Sequence, residues 1–216
     1  MERIQFLSDE MLLAQLQIPN MSCTQKLPLS ILILAGGRGS RMGGRDKGLV
    51  ELNCLPFIEH ALNVSRPFSD DIIISCNRNQ DLYQHYNENI VQDEQRDFPG
   101  PLAGILAGME KARHDALLVL PCDTPMIPLD LPQRLYESYL NNPLGVSLVH
   151  DGERRQPLHA IMPTALKESL REFLAADHHG VFRWYKQHPI AEIEYKGQAQ
   201  AFTNINRLEE LQAINH

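Results

Sequence analysis

The sequence predicts an α/β protein with a mostly parallel sheet, folded as a single domain. Three observations carry that expectation. The runs "SILIL" (30–34), "DDIIIS" (70–75) and "ALLVLP" (116–121) are short and apolar rather than alternating, as in strands covered on both faces. Helical patterns lie between them, and strands alternating with helices favour parallel pairing. The 216 residues suffice for one large core, with neither an internal repeat nor a low-complexity linker.

Taken in order, the chain opens with "MERIQFLSDEMLLAQLQIPNMSCTQKLPLS", which lacks the basic start and continuous apolar core of a signal peptide. A short amphipathic helix fits around Asp9 to Leu16, followed by Pro19 and a second candidate start, Met21. The expectation is a poorly anchored extension over 1–28 and a domain over 29–216. Within that domain the first apolar run ends at glycine and reads as a buried strand. Helical patterns follow at 56–64, 80–87, 102–113, 131–140 and 165–175. A short strand precedes Asp93 in "NIVQDE", and "GVSLVH" (145–150) and "PLHAIM" (157–162) are weaker strand candidates. In such a sheet ligands bind beyond the carboxyl ends of the strands. That rule selects the loop after Leu34, the "SCNRN" segment after Ile74 and "PCDTP" after Leu120.

Composition narrows the function. A net charge of −7 argues against a nucleic-acid or anionic-membrane partner, either of which wants a broad basic face. No apolar stretch approaches the length of a membrane span. Cys23, Cys54, Cys76 and Cys122 form no CxxC pair and read as thiols in a reducing compartment. The histidines cluster only at His178-His179, so no zinc site is expected.

The positive charge is concentrated in "LAGGRGSRMGGRDK" (34–47), which suits a small anion. Two phosphate-loop templates fail there on specific residues. The dinucleotide fingerprint needs a third glycine where Met42 stands, and the P-loop needs Lys and Ser/Thr where Arg45 and Asp46 stand. What remains is a loop that wraps a triphosphate. Its glycines let backbone N–H groups approach phosphate oxygens, and Arg38, Arg41, Arg45 and Lys47 supply cations. Asp46 reads as a moderator of the loop's charge.

LAGG-x-G-x-RMGG-x-DK resembles the signature of nucleotidyltransferases that join a nucleoside triphosphate to an anionic acceptor. With "FPGPLAG" (98–104), "PCDTP" (121–125), "HDGERRQPL" (150–158) and "FTNINRLEEL" (202–211) in the same order, the chain is similar to the molybdenum cofactor guanylyltransferases, the MobA family, from Leu29 onward. The resemblance implies a Rossmann-like three-layer sandwich of the nucleotide-diphospho-sugar transferase type. It further implies transfer of GMP from GTP to the terminal phosphate of molybdenum-molybdopterin, with Mg2+ as cofactor. A cytoplasmic location and transient contact with cofactor-delivery proteins go with it. The rivals are a cytidylyltransferase or another NTP:phosphate nucleotidyltransferase on the same scaffold, and a non-catalytic GTP-binding scaffold.

The residues that would carry this chemistry are specific. Asp123 stands just past an apolar strand, where a carboxylate serves as a metal ligand or caps the turn at Thr124-Pro125; the resemblance favours Mg2+. The resemblance makes Lys47 and Arg41 catalytic with Asp123. It places Leu34, Ala35 and Gly36 at the base, where LAGG marks guanylyl and LAAG cytidylyl enzymes, with Gly37 and Arg38 opening the triphosphate wrap. Ser75 stands where relatives commonly carry Asn, with Asn77 a nearby amide, and Asp93 belongs to the nucleotide site. The resemblance puts Gly100, His150, Arg154, Asn204 and Asn206 on the acceptor side. Here the local readings stay open: a helix entry at Gly100, a charged hairpin turn around Arg154, and a helix N-cap at Asn206.

Overall fold

The computed structural model describes residues 26–35, 46–86, 89–92 and 100–205. Its strands are β1 (Ser30–Leu34), β2 (Glu51–Leu52), β3 (Leu55–Pro56), β4 (Asp71–Ser75), β5 (Ile90–Val91), β6 (Ala116–Pro121), β7 (Val146–His150), β8 (Arg155–Pro163) and β9 (Ile190–Glu194). Seven of them form one sheet in the order β5-β4-β1-β6-β8-β7-β9, and β2 and β3 pair separately. From β5 to β6 all pairing is parallel. Strand β8 runs antiparallel to both β6 and β7, and β7 pairs in parallel with β9. The expected mostly parallel α/β sheet is therefore present.

Apolar residues run uninterrupted along the central strands because both faces are covered. Ile31 and Ile33 of β1 join Leu118 and Leu120 of β6 on one side. That side packs against α1 (Phe57–Ser65), α2 (Gln80–Gln84) and α4 (Leu131–Asn141). Leu32, Leu117 and Val119 face the other way, toward α3 (Pro101–Lys111), α5 (Lys167–Ala175) and α6 (Val181–Tyr185). The result is a three-layer sandwich. Helix α3 lies close on the sheet: a Cβ at Gly104 would stand 2.8 Å from Ser75 Oγ, and one at Gly108 2.6 Å from Leu32 Cδ2. Its first turn begins at Pro101 after Gly100, whose φ of 153° with ψ of 172° is a conformation that favours glycine.

The order of the strands fixes where a ligand can sit. From β1 the chain crosses by α1 to β4 on one side, and later by α3 to β6 on the other. The connections thus diverge between β1 and β6, opening a crevice at their carboxyl ends. Leu34 is in register with Ser75 on one flank and with Pro121 on the other. The strand ends that lead into the three segments selected by the sequence therefore stand side by side on one edge.

The opposite edge is closed by a buried acid. Asp71 is 2% exposed; its carboxylate accepts hydrogen bonds from Ser30 Oγ at 2.5 Å, Arg113 N at 2.8 Å and Asn89 Nδ2 at 3.2 Å, and meets Arg113 Nε at 3.1 Å. It thereby ties the starts of β1 and β4 to the turn before β6.

Some expectations needed revision. Strand β9 ("IAEIE") was not anticipated because it is a half-exposed edge strand without a continuous apolar run. Strands β2 and β3 are two residues each, and their turn places Asn53 and Cys54 at φ of 53° and 62°, a hairpin without the glycine that would have announced it. Helix α5 begins only after a 3-10 turn at Thr164–Leu166. The expected N-terminal helix lies outside the described residues. Of the extension over 1–28 only its last residues are described; there Leu27 N donates to Phe68 O at 2.8 Å.

Removing Asp71 would strand buried donors on two elements. Asp71→Ala is expected to destabilise the fold by roughly 2–4 kcal/mol, read as a lower urea midpoint at unchanged m-value.

Candidate active site

The site is assembled from the end of β1, the end of β6 and the turn that follows the glycine-rich loop. Leu34 O accepts from Cys122 N at 3.1 Å, and Ala35 N donates to Ser75 O at 2.9 Å. The backbone at the base of the loop is thus held on both sides by the neighbouring strand ends. Gly36, Gly37, Arg38 and Arg41 lie outside the described residues, as do Asp93 and Asn206.

The chain re-enters at Asp46, and Lys47 opens a one-turn 3-10 helix, Lys47–Leu49. Lys47 Nζ reaches across the crevice to Asp123 Oδ2 at 2.8 Å, with side-chain exposures of 21% and 14%. Two residues separated by 76 positions meet at the divergence point of the sheet. The backbone of Asp123 is fixed as well, since its carbonyl accepts from Ile205 N at 2.9 Å. That bond brings Asn204 and Ile205 to the same place.

The second carboxylate oxygen distinguishes the readings of Asp123. Oδ1 is buried and has no hydrogen-bond partner among the described residues. It does not cap the turn that follows. A half-satisfied carboxylate at the rim of an anion site suits a hard divalent cation, because Mg2+ retains waters and takes one or two carboxylates. Among the described residues there is no cluster of three or more His, Cys, Asp or Glu that would make an all-protein metal cage.

Behind Asp123 lies a buried polar pair that the sequence did not announce. Thr124 Oγ1 and His159 Nε2 are 2.9 Å apart, His159 is 1% exposed, and Phe202 packs edge-on against its ring. Burial pushes the His159 imidazole down to about 3, only partly opposed by the charge of Asp151. It is therefore neutral beside the site. The histidine sits within a strand, and only the strand register of β8 against β6 could have linked it to Thr124.

Asp46 does more than moderate charge. It accepts from Tyr83 Oη at 2.5 Å, Asn79 Nδ2 at 3.0 Å and Gly48 N at 3.2 Å. The acid is the anchor of the turn that carries Lys47.

The remaining expected residues distribute along the same edge. Ser75 is buried in register with Leu34, beneath Gly104, while Asn77 is exposed. Gly100 stands at the start of α3. His150 ends β7, which runs in the same direction as β6 because β8 is antiparallel to both. The segment after it is the tight turn that its charge pattern suggested: Asp151 accepts from Glu153 N and Arg154 N, each at 2.8 Å, and from Gln156 Nε2 at 2.6 Å. Arg154 itself points outward, exposed. Cys76 and Cys122 are buried and form no disulfide, and burial raises both thiols, Cys76 to about 11.

A divergent, mostly parallel sheet with a lysine and a carboxylate meeting at its switch point, the lysine following a glycine-rich stretch of the sequence, fits a nucleotidyltransferase-type α/β protein. Residues 31–192 match the family described as MobA-like NTP transferase domain, and the chain belongs to that family. It is 39% identical over 189 residues to a molybdenum cofactor guanylyltransferase of Shewanella amazonensis, covering 88% of this chain and 96% of that one. A protein of the same name from Pseudomonas aeruginosa is 51% identical over 143 residues, covering 66% and 72%. Among solved structures, the molybdopterin-guanine dinucleotide biosynthesis protein A of Archaeoglobus fulgidus superposes with a TM-score of 0.71 at 18% identity, covering 86% of this chain and 96% of that one.

The neutral imidazole of His159 has a measurable consequence. Its folded pKa lies below the ordinary 6.5, so the unfolded chain binds the extra proton between pH 6.5 and about 3. Its contribution is fully favourable above that window and is lost as pH falls through it. Urea unfolding at pH 7, 6 and 5 should show His159→Gln losing less stability on acidification than the parent, by up to about 1.4 kcal/mol per pH unit.

Proposed function

We propose that this chain transfers GMP from GTP to the terminal phosphate of molybdenum-molybdopterin, releasing pyrophosphate and forming the guanine dinucleotide. The observation that carries this reading is the Lys47–Asp123 pair at the sheet's divergence point, directly after the glycine- and arginine-rich loop. The name shared by relatives 39% and 51% identical supports the choice of nucleotide and acceptor.

The acceptor phosphate is already ionised near neutral pH, so its oxygen can attack the α-phosphorus of GTP without a strong general base. A new P–O bond forms, the α–β bridging bond breaks, and pyrophosphate departs with the electron pair. Positioning and charge neutralisation then carry the catalysis. In this reading Lys47 neutralises charge on the transferring group, and Arg41, Arg38 and the loop amides from Gly37 onward hold the triphosphate. Leu34, Ala35 and Gly36 contact the base through the backbone, with Ser75 and Asp93 on the nucleotide side. The acceptor side is assigned to Gly100, His150, Arg154, Asn204 and Asn206, with Arg154 at the exposed end of that group. Mg2+ would be held by Asp123 and, when bound, supplies further neutralisation of the phosphates. A cytoplasmic location and transient contact with cofactor-delivery proteins complete the proposal.

Incubation with GTP, Mg2+ and molybdenum-loaded pterin should yield the dinucleotide by mass detection. Lys47→Ala should lower kcat by about 10²–10³, and Asp123→Ala should abolish Mg2+-dependent turnover while preserving the circular dichroism of the fold. Retained Mg2+-dependent turnover in Asp123→Ala would remove the metal assignment. Calorimetric titration with GTP and CTP in Mg2+ should show selective GTP binding; the opposite preference would transfer the assignment to a cytidylyl enzyme.

A further inference from the structure

An acid inside a loop built for phosphates is the feature that the proposed chemistry leaves unused. Asp46 directly precedes Lys47, and its uncompensated charge would repel a triphosphate. Both of its oxygens are engaged. Oδ1 accepts from Tyr83 Oη at 2.5 Å and from Gly48 N at 3.2 Å, and Oδ2 accepts from Asn79 Nδ2 at 3.0 Å. These donors come from the segment that leaves β4 and from the turn carrying Lys47 itself. Tyr83, a residue of α2, is fully buried in the core. Its hydroxyl lies so close to Gly48 that a Cβ there would stand 2.2 Å from Oη. Asn79, just before α2, adopts φ of 52° and ψ of 33°.

We propose that Asp46, anchored by Tyr83 and Asn79, is a positioning residue for Lys47. The inference rests on the reading of Lys47 given above. A lysine side chain has several rotatable bonds, and holding its ammonium against Asp123 requires the backbone beneath it to be immobile. The carboxylate supplies that immobility by capping the 3-10 turn at Gly48 N and fastening the turn to α2. Because α2 follows the β4 end that carries Ser75, the same anchor links the lysine to the nucleotide-side strand. Each donor also draws charge from Asp46 away from the loop, so the acid serves as a fastener with little repulsion toward the ligand.

Tyr83→Phe is the discriminating variant, because the ring still fills its buried site and only the hydroxyl is lost. Asp46→Asn is its companion, and Tyr83→Trp a disruptive control. Two readouts are needed. In the GMP-transfer assay, Tyr83→Phe and Asp46→Asn should lower kcat about five- to twentyfold while KM for GTP moves less than about twofold. In the protein without nucleotide, mass-resolved acetylation by acetic anhydride should modify Lys47 severalfold faster in both variants than in the parent, relative to exposed Lys186 as an internal standard. The labelling does not require turnover. If the parent makes no dinucleotide but the labelling difference appears, the function is wrong and the anchor stands. If Lys47 labelling in both variants matches the parent, the positioning role is overturned whatever the activity.

Discussion

The contact on which the site depends is the 2.8 Å pairing of Lys47 with Asp123. Each charge is largely withdrawn from water, and a buried charge without a partner costs several kcal/mol or shifts its protonation. The pair resolves that cost only if both backbones are held. Asp123 is held through Ile205 N on its carbonyl and through the register of β6 beside β1, and Lys47 sits on a turn capped by Asp46. Two long-range connections and one local cap therefore converge on a single salt bridge. Because β1 and β6 are neighbours whose connections diverge, the bridge spans the strand ends at the point where such sheets bind ligands.

Much of this was legible in the amino-acid order. The central strands were visible because burial on both faces removes alternation, and the three segments picked from the rule about carboxyl ends do lie in register at Ser75, Leu34 and Pro121. The candidacy of Lys47 and Asp123 also followed from position, one after a glycine loop and the other after an apolar strand. Their contact did not, because sequence periodicity carries no information about which strand lies beside which. That required the motif resemblance, or the fold itself.

What stayed hidden was of two physical kinds. Edge elements such as β9 bury one face incompletely, so the hydrophobic signal is diluted by Glu192 and Glu194. Polar anchors are hidden for a different reason: a buried carboxylate and a surface carboxylate are the same letter. Asp46 looked like charge compensation among arginines, and only the placement of Tyr83, 37 positions later, makes it a fastener. Asp71 and Asp151 follow the same logic, each 2% exposed and each satisfied by backbone N–H groups from the turn it organises. In all three cases the acid closes a connection between strand and turn.

The burial of His159 completes the electrostatics of the crevice. A charged imidazole next to Thr124 would add a second positive field behind Asp123 and weaken the attraction that its carboxylate exerts on Lys47. Burial keeps the ring neutral, so among the described residues Lys47 is the cation that Asp123 meets in an ion pair. The ring nevertheless contributes through its contact with Thr124 Oγ1, which ties the residue after Asp123 to β8. Polar contact without charge is what that place in the molecule requires, since the sheet must hold the Asp123 turn firmly while leaving its negative field directed into the crevice. A lysine or arginine in place of His159 would supply a donor to Thr124 but would also bring a desolvated charge against the ring of Phe202, which the neighbouring charge of Asp151 offsets only in part.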